Sequence, residues 1–337
     1  MRFKSLYQYL WEQADKNDIS DSLLKVILDV ALGGKILRSH IVRNAYSFAQ
    51  NVVETENTHG EKQHRLDLLA HEIFLNALKE GNVCRYMISE ESADRIEFTE
   101  NSHKGQFSVY IDPLDGTSNV DSNVTVGTIF SIYSSQGEIS QRKNIETGRA
   151  QLASGYIIYG TSTMLVLTMG SGVHGFSYDT QLGEFILSHP NMKVPKSGST
   201  YAINEGNFEN FPSQIREYLS FCKQSDAENN LPYKCRYIGS MVADMHRILL
   251  HGGIFMYPST RDYPNGKLRL MYECMPMALI LEQAGGLAID GMRPILDIEG
   301  HSCHQKIPFI AGSYNMVRKV LSLYKNESIK NHLLYCC

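Results

Sequence analysis

A series of short apolar or alternating segments between residues 106 and 189 constrains the fold more than any other feature of the chain. Each segment has the length and apolar pattern of a β-strand, and glycines and polar turns separate one segment from the next. The last of them, in 153–189, follow one another closely enough to predict consecutive hairpins. Any fold of this chain must therefore contain a β-sheet assembled largely from neighbouring segments.

Helical patterns flank this strand-rich part of the chain. Apolar residues recur at helical spacing in the ranges 22–37, 65–79, 212–225 and 239–250 and in the segment YECMPMALILEQAGG. Because helices and strands alternate in layers rather than in a strict βαβ series, we predict an α/β (α+β) layered sandwich. A boundary near residue 198 would divide the chain into an N-terminal half, 1–198, and a C-terminal half, 199–337.

The composition argues against several classes of protein. The chain has 337 residues, of which 43% are hydrophobic and 20% charged, and its net charge of −4 without a sustained basic run predicts no nucleic-acid partner. No apolar stretch reaches the ~18 residues that a membrane span needs, and the N-terminus lacks the pattern of a signal peptide. The seven cysteines contain no CxxC pair, which favours reduced thiols in a cytoplasmic protein.

The sequence DPLDGTSN at 112–119 follows a predicted core strand and predicts a metal and phosphate site. Pro113 holds Asp112 in an extended conformation, and Asp115 three residues later can present its carboxylate on the same side. Gly116 permits a tight turn, and the small polar residues after it are typical of helix starts, whose N–H groups bind anions. Carboxylates beside a phosphate cradle favour Mg²⁺, although a capped turn with solvated aspartates has the same pattern.

Further carboxylates could complete such a site. Glu90 and Glu91 are adjacent, and like charges side by side are costly unless they are solvated or bind a cation. Glu273 and Asp67 interrupt apolar stretches, where a free carboxylate is expensive to bury. Spacing alone cannot bring these segments together. The segment HSCH at 301–304 could also contact a metal, but nothing near it completes a zinc site.

Longer motifs resemble one family. DPLDGTSNVDSNVTVGTIFSIY, ASGYIIYGTSTMLVLTMG, YAINEGN, RYIGSMVADMHR and YPNGKLRLMYECMPMALILEQAGG are similar to segments of the class I fructose-1,6-bisphosphatases. The DPLDG core is shared by the wider group of magnesium-dependent, lithium-sensitive sugar and inositol phosphatases, whereas RYIGSMVADMHR and NGKLRLMYE are narrower. The resemblance extends from about residue 20 to about residue 320.

This resemblance implies an α/β/α/β/α sandwich, a homotetramer, and removal of the 1-phosphate of fructose 1,6-bisphosphate by metal-activated water. It assigns Mg²⁺, or alternatively Mn²⁺, to Glu90, Asp112, Asp115, Glu273 and the carbonyl of Leu114. Glu61 matches an acidic residue that serves a further metal ion, and Asp67 and Glu91 match the pair that orients and deprotonates the attacking water.

The same resemblance assigns the residues that bind substrate. The N–H groups of Gly116, Thr117 and Ser118 would hold the 1-phosphate. The sugar and its 6-phosphate would be held by Asn204, Tyr237, Met241, Tyr257, Lys267 and, from a neighbouring subunit, Arg236. A remote phosphate clamp supplies binding energy that fixes the reacting end of the substrate.

The chain departs from the family where its members bind the inhibitor AMP. The family motif GTGE[LM]T is replaced at 17–22 by NDISDS, which has no glycine and is acidic. A Lys-Tyr pair is replaced by Gln106 and Phe107, and an arginine by Ser134. We therefore predict weak or absent inhibition by AMP.

Other functions remain open at this stage. A sedoheptulose-1,7-bisphosphatase or a dual-specificity enzyme would use nearly the same clamp, whereas an inositol monophosphatase needs no second phosphate site. A catalytically silent relative that binds metabolites would be expected to have lost some of the carboxylates, and this chain retains them.

Overall fold

The computed structural model describes residues 3–17, 19–43, 55–56, 62–63, 65–98, 105–135, 145–226 and 231–334. Its larger sheet has eight strands, which in spatial order are β11 (Glu184–His189), β10 (Val173–Asp179), β9 (Thr163–Thr168), β8 (Ala153–Tyr159), β6 (Val126–Ser134), β5 (Phe107–Asp115), β3 (Cys84–Ser89) and β4 (Ile96–Glu97). Neighbouring strands are antiparallel except β3 and β5, which are parallel. The run from β8 to β11 is a meander of hairpins, as the sequence predicts.

A second sheet of five strands lies in the C-terminal half of the chain. Its spatial order is β13 (Lys234–Cys235), β12 (Thr200–Ala202), β14 (Ile254–Tyr257), β19 (Phe309–Gly312) and β16 (Leu287–Ile289). Two-stranded pairings join β1 (Thr55–Glu56) to β2 (Lys62–Gln63), β7 (Ile145–Thr147) to β17 (Glu299–Gly300), and β15 (Leu268–Arg269) to β18 (Lys306–Ile307).

Helices cover both sheets. In chain order they are α1 (Leu6–Asn17), α2 (Asp21–Arg43), α3 (Arg65–Gly81), α4 (Ser213–Cys222), α5 (Met241–His251), α6 (Met275–Gln283) and α7 (Tyr314–Leu334). The Ser20 hydroxyl accepts a hydrogen bond from Leu23 N at 3.3 Å and so caps the start of α2. Within the described part of the chain, no helix combines the length and the apolar character that a bilayer span requires.

The packing forms alternating layers. Helices α1, α2 and α3 cover one face of the larger sheet, α5 and α6 lie between the two sheets, and α4 and α7 cover the outer face of the second sheet. Strands β5, β8 and β9 are buried along their whole length because helices cover both of their faces. These layers confirm the predicted α/β/α/β/α sandwich.

The predicted boundary at residue 198 falls between β11 and β12, the last strand of one sheet and the first strand of the other. The middle layer is nevertheless common to both predicted halves, because α5 and α6 pack against β6 and β8. The division into 1–198 and 199–337 therefore stays a prediction.

Candidate active site

The end of β5 is irregular at the motif DPLDG. Asp112 pairs with Ile129 and Asp115 with Gly127, so the register shifts between the two aspartates. A proline has no N–H to give to a neighbouring strand and is tolerated at such a bulge. The Thr128 hydroxyl donates to the carbonyl oxygen of Pro113 at 2.8 Å, and the Asp112 carboxylate accepts from Leu114 N at 3.0 Å. The bulge thus has its own hydrogen bonds and ends the strand in a fixed geometry.

The residues after the bulge form less helix than the sequence predicts. Thr117–Asn119 is a single 3-10 turn, and further turns lead to β6 at Val126. Ten residues, 116–125, connect the antiparallel strands β5 and β6, and they form turns rather than an α-helix. Gly116 has φ of +81°, and a β-carbon there would lie 2.8 Å from the Ser240 side chain, so only glycine fits this turn without strain.

Three carboxylates converge at this turn. Ligand oxygens of Asp112, Asp115 and Glu273 all lie within 4.8 Å of one another, and the residues are only 2%, 8% and 6% exposed. Glu273 comes from a π-helical turn, Leu270–Cys274, that directly precedes α6. The apolar pattern predicts an uninterrupted helix there, whereas the chain forms a π-turn, a feature frequent at functional sites. The Glu273 carboxylate accepts a hydrogen bond from Arg269 N, which fixes it at the start of this turn.

Glu90 brings a fourth carboxylate to the same place. It follows β3, the parallel neighbour of β5, and its N–H donates to Ile111 O at 3.2 Å. Burial raises the pKa of Asp112 well above its usual range, and the charges of Glu90, Asp115, Glu273 and Glu91 raise it further. Burial and then the charge of Glu90 likewise raise the pKa of Glu273. Glu90 therefore lies close enough to repel both residues.

The donor set fits divalent metal ions. Buried carboxylates that repel one another are unfavourable without a cation, and a bound divalent ion turns that repulsion into attraction. Carboxylate and carbonyl oxygens are the ligands that Mg²⁺ and Mn²⁺ prefer. The fold thus brings together segments that spacing alone could not, since Glu273 lies within 4.8 Å of the aspartates and Glu90 close enough to act on both Asp112 and Glu273.

Asp115 also joins the two predicted halves of the chain. Its carboxylate accepts from the Ser240 hydroxyl at 2.8 Å and from Val242 N at 2.9 Å, at the N-terminus of α5. These bonds lower the pKa of Asp115, but burial is the larger effect and leaves that pKa raised. The segment that precedes α5 is RYIGS, which carries the predicted sugar contacts Arg236 and Tyr237.

Comparison with known proteins identifies the family. The model of the fructose-1,6-bisphosphatase N-terminal domain matches residues 5–190, and the model of its C-terminal domain matches residues 194–325. The chain belongs to the fructose-1,6-bisphosphatase family. It is 48% identical over 322 residues to the class 1 fructose-1,6-bisphosphatase of Cytophaga hutchinsonii, an alignment that covers 94% of this chain and 93% of the relative.

Solved structures agree with this assignment. The crystal structure of Leishmania major fructose-1,6-bisphosphatase in its holo form is similar with a TM-score of 0.90 and 33% identity. The similarity covers 96% of this chain and all of the other.

The predicted sugar contacts lie partly together in this member of the family. Burial raises the pKa of Tyr237 to about 12, and the nearby charges of Tyr257, Asp244 and Asp115 raise it further. Met241 is the first residue of α5 and is buried. The side chains of Asn204, Arg236 and Lys267 are exposed. Lys267 places its ammonium 4.1 Å from the centre of the Tyr263 ring.

Two other predicted residues, Asp67 and Glu91, lie outside the group of three carboxylates, although the charge of Glu91 acts on Asp112. Asp67 is buried in the first turn of α3, and Glu91 follows Glu90, with its N–H donating to the Ser89 hydroxyl at 3.3 Å. Neither belongs to the group of carboxylates within 4.8 Å of one another, so their joint action on water stays a prediction. Glu61 lies outside the described residues.

Sequence reasoning missed Ser240 and Asp244 as supporting residues. The Asp244 carboxylate accepts from Ile238 N and Gly239 N, both at 3.1 Å, and burial raises its pKa to about 6. Asp244 and Asp115 therefore hold the two ends of the loop between Tyr237 and α5. An aspartate within the apolar pattern MVADM is the signal that could have identified it.

Proposed function

We propose that this protein removes the 1-phosphate of fructose 1,6-bisphosphate and so produces fructose 6-phosphate and inorganic phosphate. The observation that carries the proposal is the group of buried carboxylates within 4.8 Å of one another after β5, in a chain 48% identical to a fructose-1,6-bisphosphatase. We assign the reaction to gluconeogenesis in the cytoplasm.

Mg²⁺, or Mn²⁺ in its place, is the proposed cofactor. Glu90, Asp112, Asp115, Glu273 and the carbonyl oxygen of Leu114 would hold the ions, and Glu61 would serve a further one. When bound, such ions neutralise the phosphate and lower the pKa of a water molecule.

The remaining chemistry belongs to side chains and backbone amides. Asp67 and Glu91 orient the attacking water and accept its proton. The N–H groups of Gly116, Thr117 and Ser118 hold the phosphoryl oxygens as the bond from phosphorus to the sugar oxygen breaks. Positioning and charge stabilisation supply most of the catalysis in phosphoryl transfer, and fixed amides provide both.

The far end of the substrate is held by a second set of residues. In this proposal Asn204, Tyr237, Tyr257 and Lys267 bind the 6-phosphate, and Met241 lies against the sugar. Arg236 is exposed here, which supports its reaching the site of a neighbouring subunit in a homotetramer. Binding energy at the 6-phosphate would fix the 1-phosphate at the carboxylates.

The test measures phosphate release from fructose 1,6-bisphosphate by the metal-stripped protein, with and without added Mg²⁺, beside sedoheptulose 1,7-bisphosphate. We expect release only with metal and a higher kcat/KM for the fructose substrate. Asp115→Asn keeps an oxygen that can accept from Ser240 and Val242 but removes the charge. We expect it to fold and to lose at least ~100-fold in activity, the upper end of the loss seen for residues that merely support a ligand.

Each contrary result has a distinct meaning. Faster release from the sedoheptulose substrate would overturn the substrate assignment and leave the chemistry intact. An absence of release from both substrates with Mg²⁺ or Mn²⁺ present would overturn the enzymatic assignment itself.

A further inference from the structure

The segment HSCH, which the proposed function does not use, contacts the chain on either side of the carboxylate cluster through His304. His304 contacts two parts of the chain that carry proposed metal ligands. Its Nδ1 lies 2.9 Å from the hydroxyl of Tyr272, the residue before Glu273. Its Nε2 lies 3.1 Å from the carbonyl oxygen of Ala93, in the turn that begins with Glu90 and Glu91.

These contacts define which nitrogen carries the proton. A carbonyl oxygen can only accept, so Nε2 of His304 must be the protonated nitrogen that donates to Ala93. In the neutral ring Nδ1 is then an acceptor, and the Tyr272 hydroxyl donates to it. The imidazole thus accepts one hydrogen bond and donates another, in opposite directions.

Backbone pairing fixes the histidine against the Glu273 side of the site. Leu268 pairs with Ile307 and Arg269 with Lys306, in the short pairing of β15 with β18. Leu270 N donates to the carbonyl oxygen of Gln305 at 2.7 Å, immediately before the π-turn. The backbone of His304 is therefore attached to the segment that leads to Glu273, and its Nε2 reaches across to the opposite turn.

We propose that His304 is a positioning residue that fixes the separation between the Glu90–Glu91 turn and the Glu273 π-turn, and so preforms the divalent metal site. Without a cation, Glu90 and Glu273 repel each other, and burial makes that repulsion stronger. A hydrogen-bonded bridge behind the carboxylates holds the gap at the width a metal requires. The proposal rests on the proposed function only in taking these carboxylates as metal ligands.

The test compares His304→Asn with His304→Gln, which replace different nitrogens of the ring. A glutamine amide extends to about the position of Nε2 and can still donate to Ala93. An asparagine amide ends near Nδ1 and can still accept from Tyr272, but it does not reach Ala93. The pair therefore separates the bridge from the mere presence of a polar side chain.

The primary readout is Mn²⁺ binding to the metal-stripped full-length protein, measured by titration calorimetry without substrate. We expect His304→Asn to lose ~10–100-fold in Mn²⁺ affinity, the range for residues that support a metal ligand. The Mn²⁺ affinity of His304→Gln should stay within about threefold of that of the wild type, because its amide keeps the supporting hydrogen bond to Ala93. The KM for fructose 1,6-bisphosphate at saturating metal should be unchanged in both variants.

Two results would overturn the proposal. The first is an Mn²⁺ affinity of His304→Asn equal to that of the wild type. The second is an equal loss of Mn²⁺ affinity in His304→Asn and His304→Gln together with a lower melting temperature in both, which is what a purely structural role predicts. If His304→Asn does not fold, His304→Met gives the second test, because its side chain extends towards Ala93 but has no N–H to donate. Mn²⁺ affinity should then fall as in His304→Asn, and unchanged affinity in a folded His304→Met also overturns the proposal. Because no substrate is present, failure of the proposed substrate would show in the phosphate assay alone.

Discussion

Asp112, Asp115 and Glu273 would each be costly to bury alone, and the structure offsets this cost locally. Each carboxylate accepts at least one hydrogen bond from the backbone: Asp112 from Leu114, Asp115 from Val242, and Glu273 from Arg269. Such bonds favour the charged form and lower the pKa, but here the pKa values remain raised because burial is the larger effect. For Asp112 and Glu273, the charges of neighbouring carboxylates raise the pKa further. The residual cost is what a divalent cation removes.

The proposed contact of Lys267 with the 6-phosphate can be tested with a substrate that lacks this phosphate. Lys267→Ala should raise the KM for fructose 1,6-bisphosphate about 10-fold or more, since a hydrogen bond to a charged group contributes ~1.5–3 kcal/mol. The fall in kcat should be smaller. With fructose 1-phosphate, which has no 6-phosphate, the variant and the wild type should have the same kcat/KM.

Lys267→Arg is the matched control, because it keeps the charge and can still bind a phosphate. We expect its KM to lie between those of the wild type and Lys267→Ala. An equal effect of Lys267→Ala on both substrates would contradict contact with the 6-phosphate and would indicate a role in the fold near Tyr263 instead.

Individual residues differ in how far the sequence could predict them. Asp112 and Asp115 are predictable because a strand, a proline and a glycine fix their local geometry. Glu90 and Glu273 are suspected from their surroundings, but Glu273 lies 158 positions after Asp115 in the chain, and no local pattern encodes that contact. Ser240 donates its hydroxyl to Asp115, and Asp244 accepts from the backbone N–H groups of a loop, and the order of side chains reveals neither contact.

At the scale of elements, the hairpins from β8 to β11 follow directly from the sequence because their pairing is local. The π-turn before α6 does not, because Leu270–Cys274 has the apolar pattern of an ordinary buried helix. Its departure from helix geometry depends on the bond of Glu273 to Arg269 N and on the pairing of β15 with β18. A local side-chain bond and the pairing with a distant strand therefore accompany this irregularity, and the apolar pattern encodes neither of them.

Helix α5 predicts a pH dependence of stability. His246 on this helix lies with its Nδ1 2.8 Å from the Tyr156 hydroxyl of β8, and burial, with His189 and His251 nearby, lowers its pKa from 6.5 to about 4. Between these values the unfolded chain binds a proton that the folded chain does not. The contribution of His246 to the free energy of unfolding should therefore be fully present above pH 6.5 and decrease as the pH falls towards 4.

Urea denaturation across this pH window measures the effect. His246→Gln cannot titrate, so its free energy of unfolding should change less with pH than that of the wild type. Tyr156→Phe is the control: it should lower stability at every pH and keep the wild-type slope, because the histidine remains. A slope in His246→Gln equal to that of the wild type would assign the pH dependence to other groups.

At the scale of the whole molecule, the site lies where the two sheets approach each other through α5 and α6. Asp115 comes from the larger sheet and is bonded to the start of α5, while Glu273 comes from the turn before α6. Any movement of one sheet relative to the other would change the distances among the carboxylates. An inhibitor that binds elsewhere and moves the sheets would change these distances. The positions where the family binds AMP therefore bear on whether this chain can be inhibited from a distance.

We predict that AMP inhibits this protein weakly or not at all. Phe107 and Ser134, which replace a tyrosine and an arginine of the family, pair directly across β5 and β6, and Phe107 is buried. The Ser20 hydroxyl caps α2, whose first residue, Asp21, adds a negative charge where the family binds a phosphate. Two cationic contacts and the glycines of the motif are thus absent together. Phosphate release measured against rising AMP should show no inhibition at concentrations that inhibit AMP-sensitive relatives.

The combined variant Gln106→Lys, Phe107→Tyr and Ser134→Arg provides the matched control, because it restores the side chains that the family uses at these positions. It should gain measurable AMP inhibition, although not the full effect, since NDISDS still lacks the glycines that give a phosphate close access to the backbone. Inhibition of the wild-type protein by low-micromolar AMP would contradict the prediction. It would mean that the nucleotide is held by contacts other than the ones this chain has replaced.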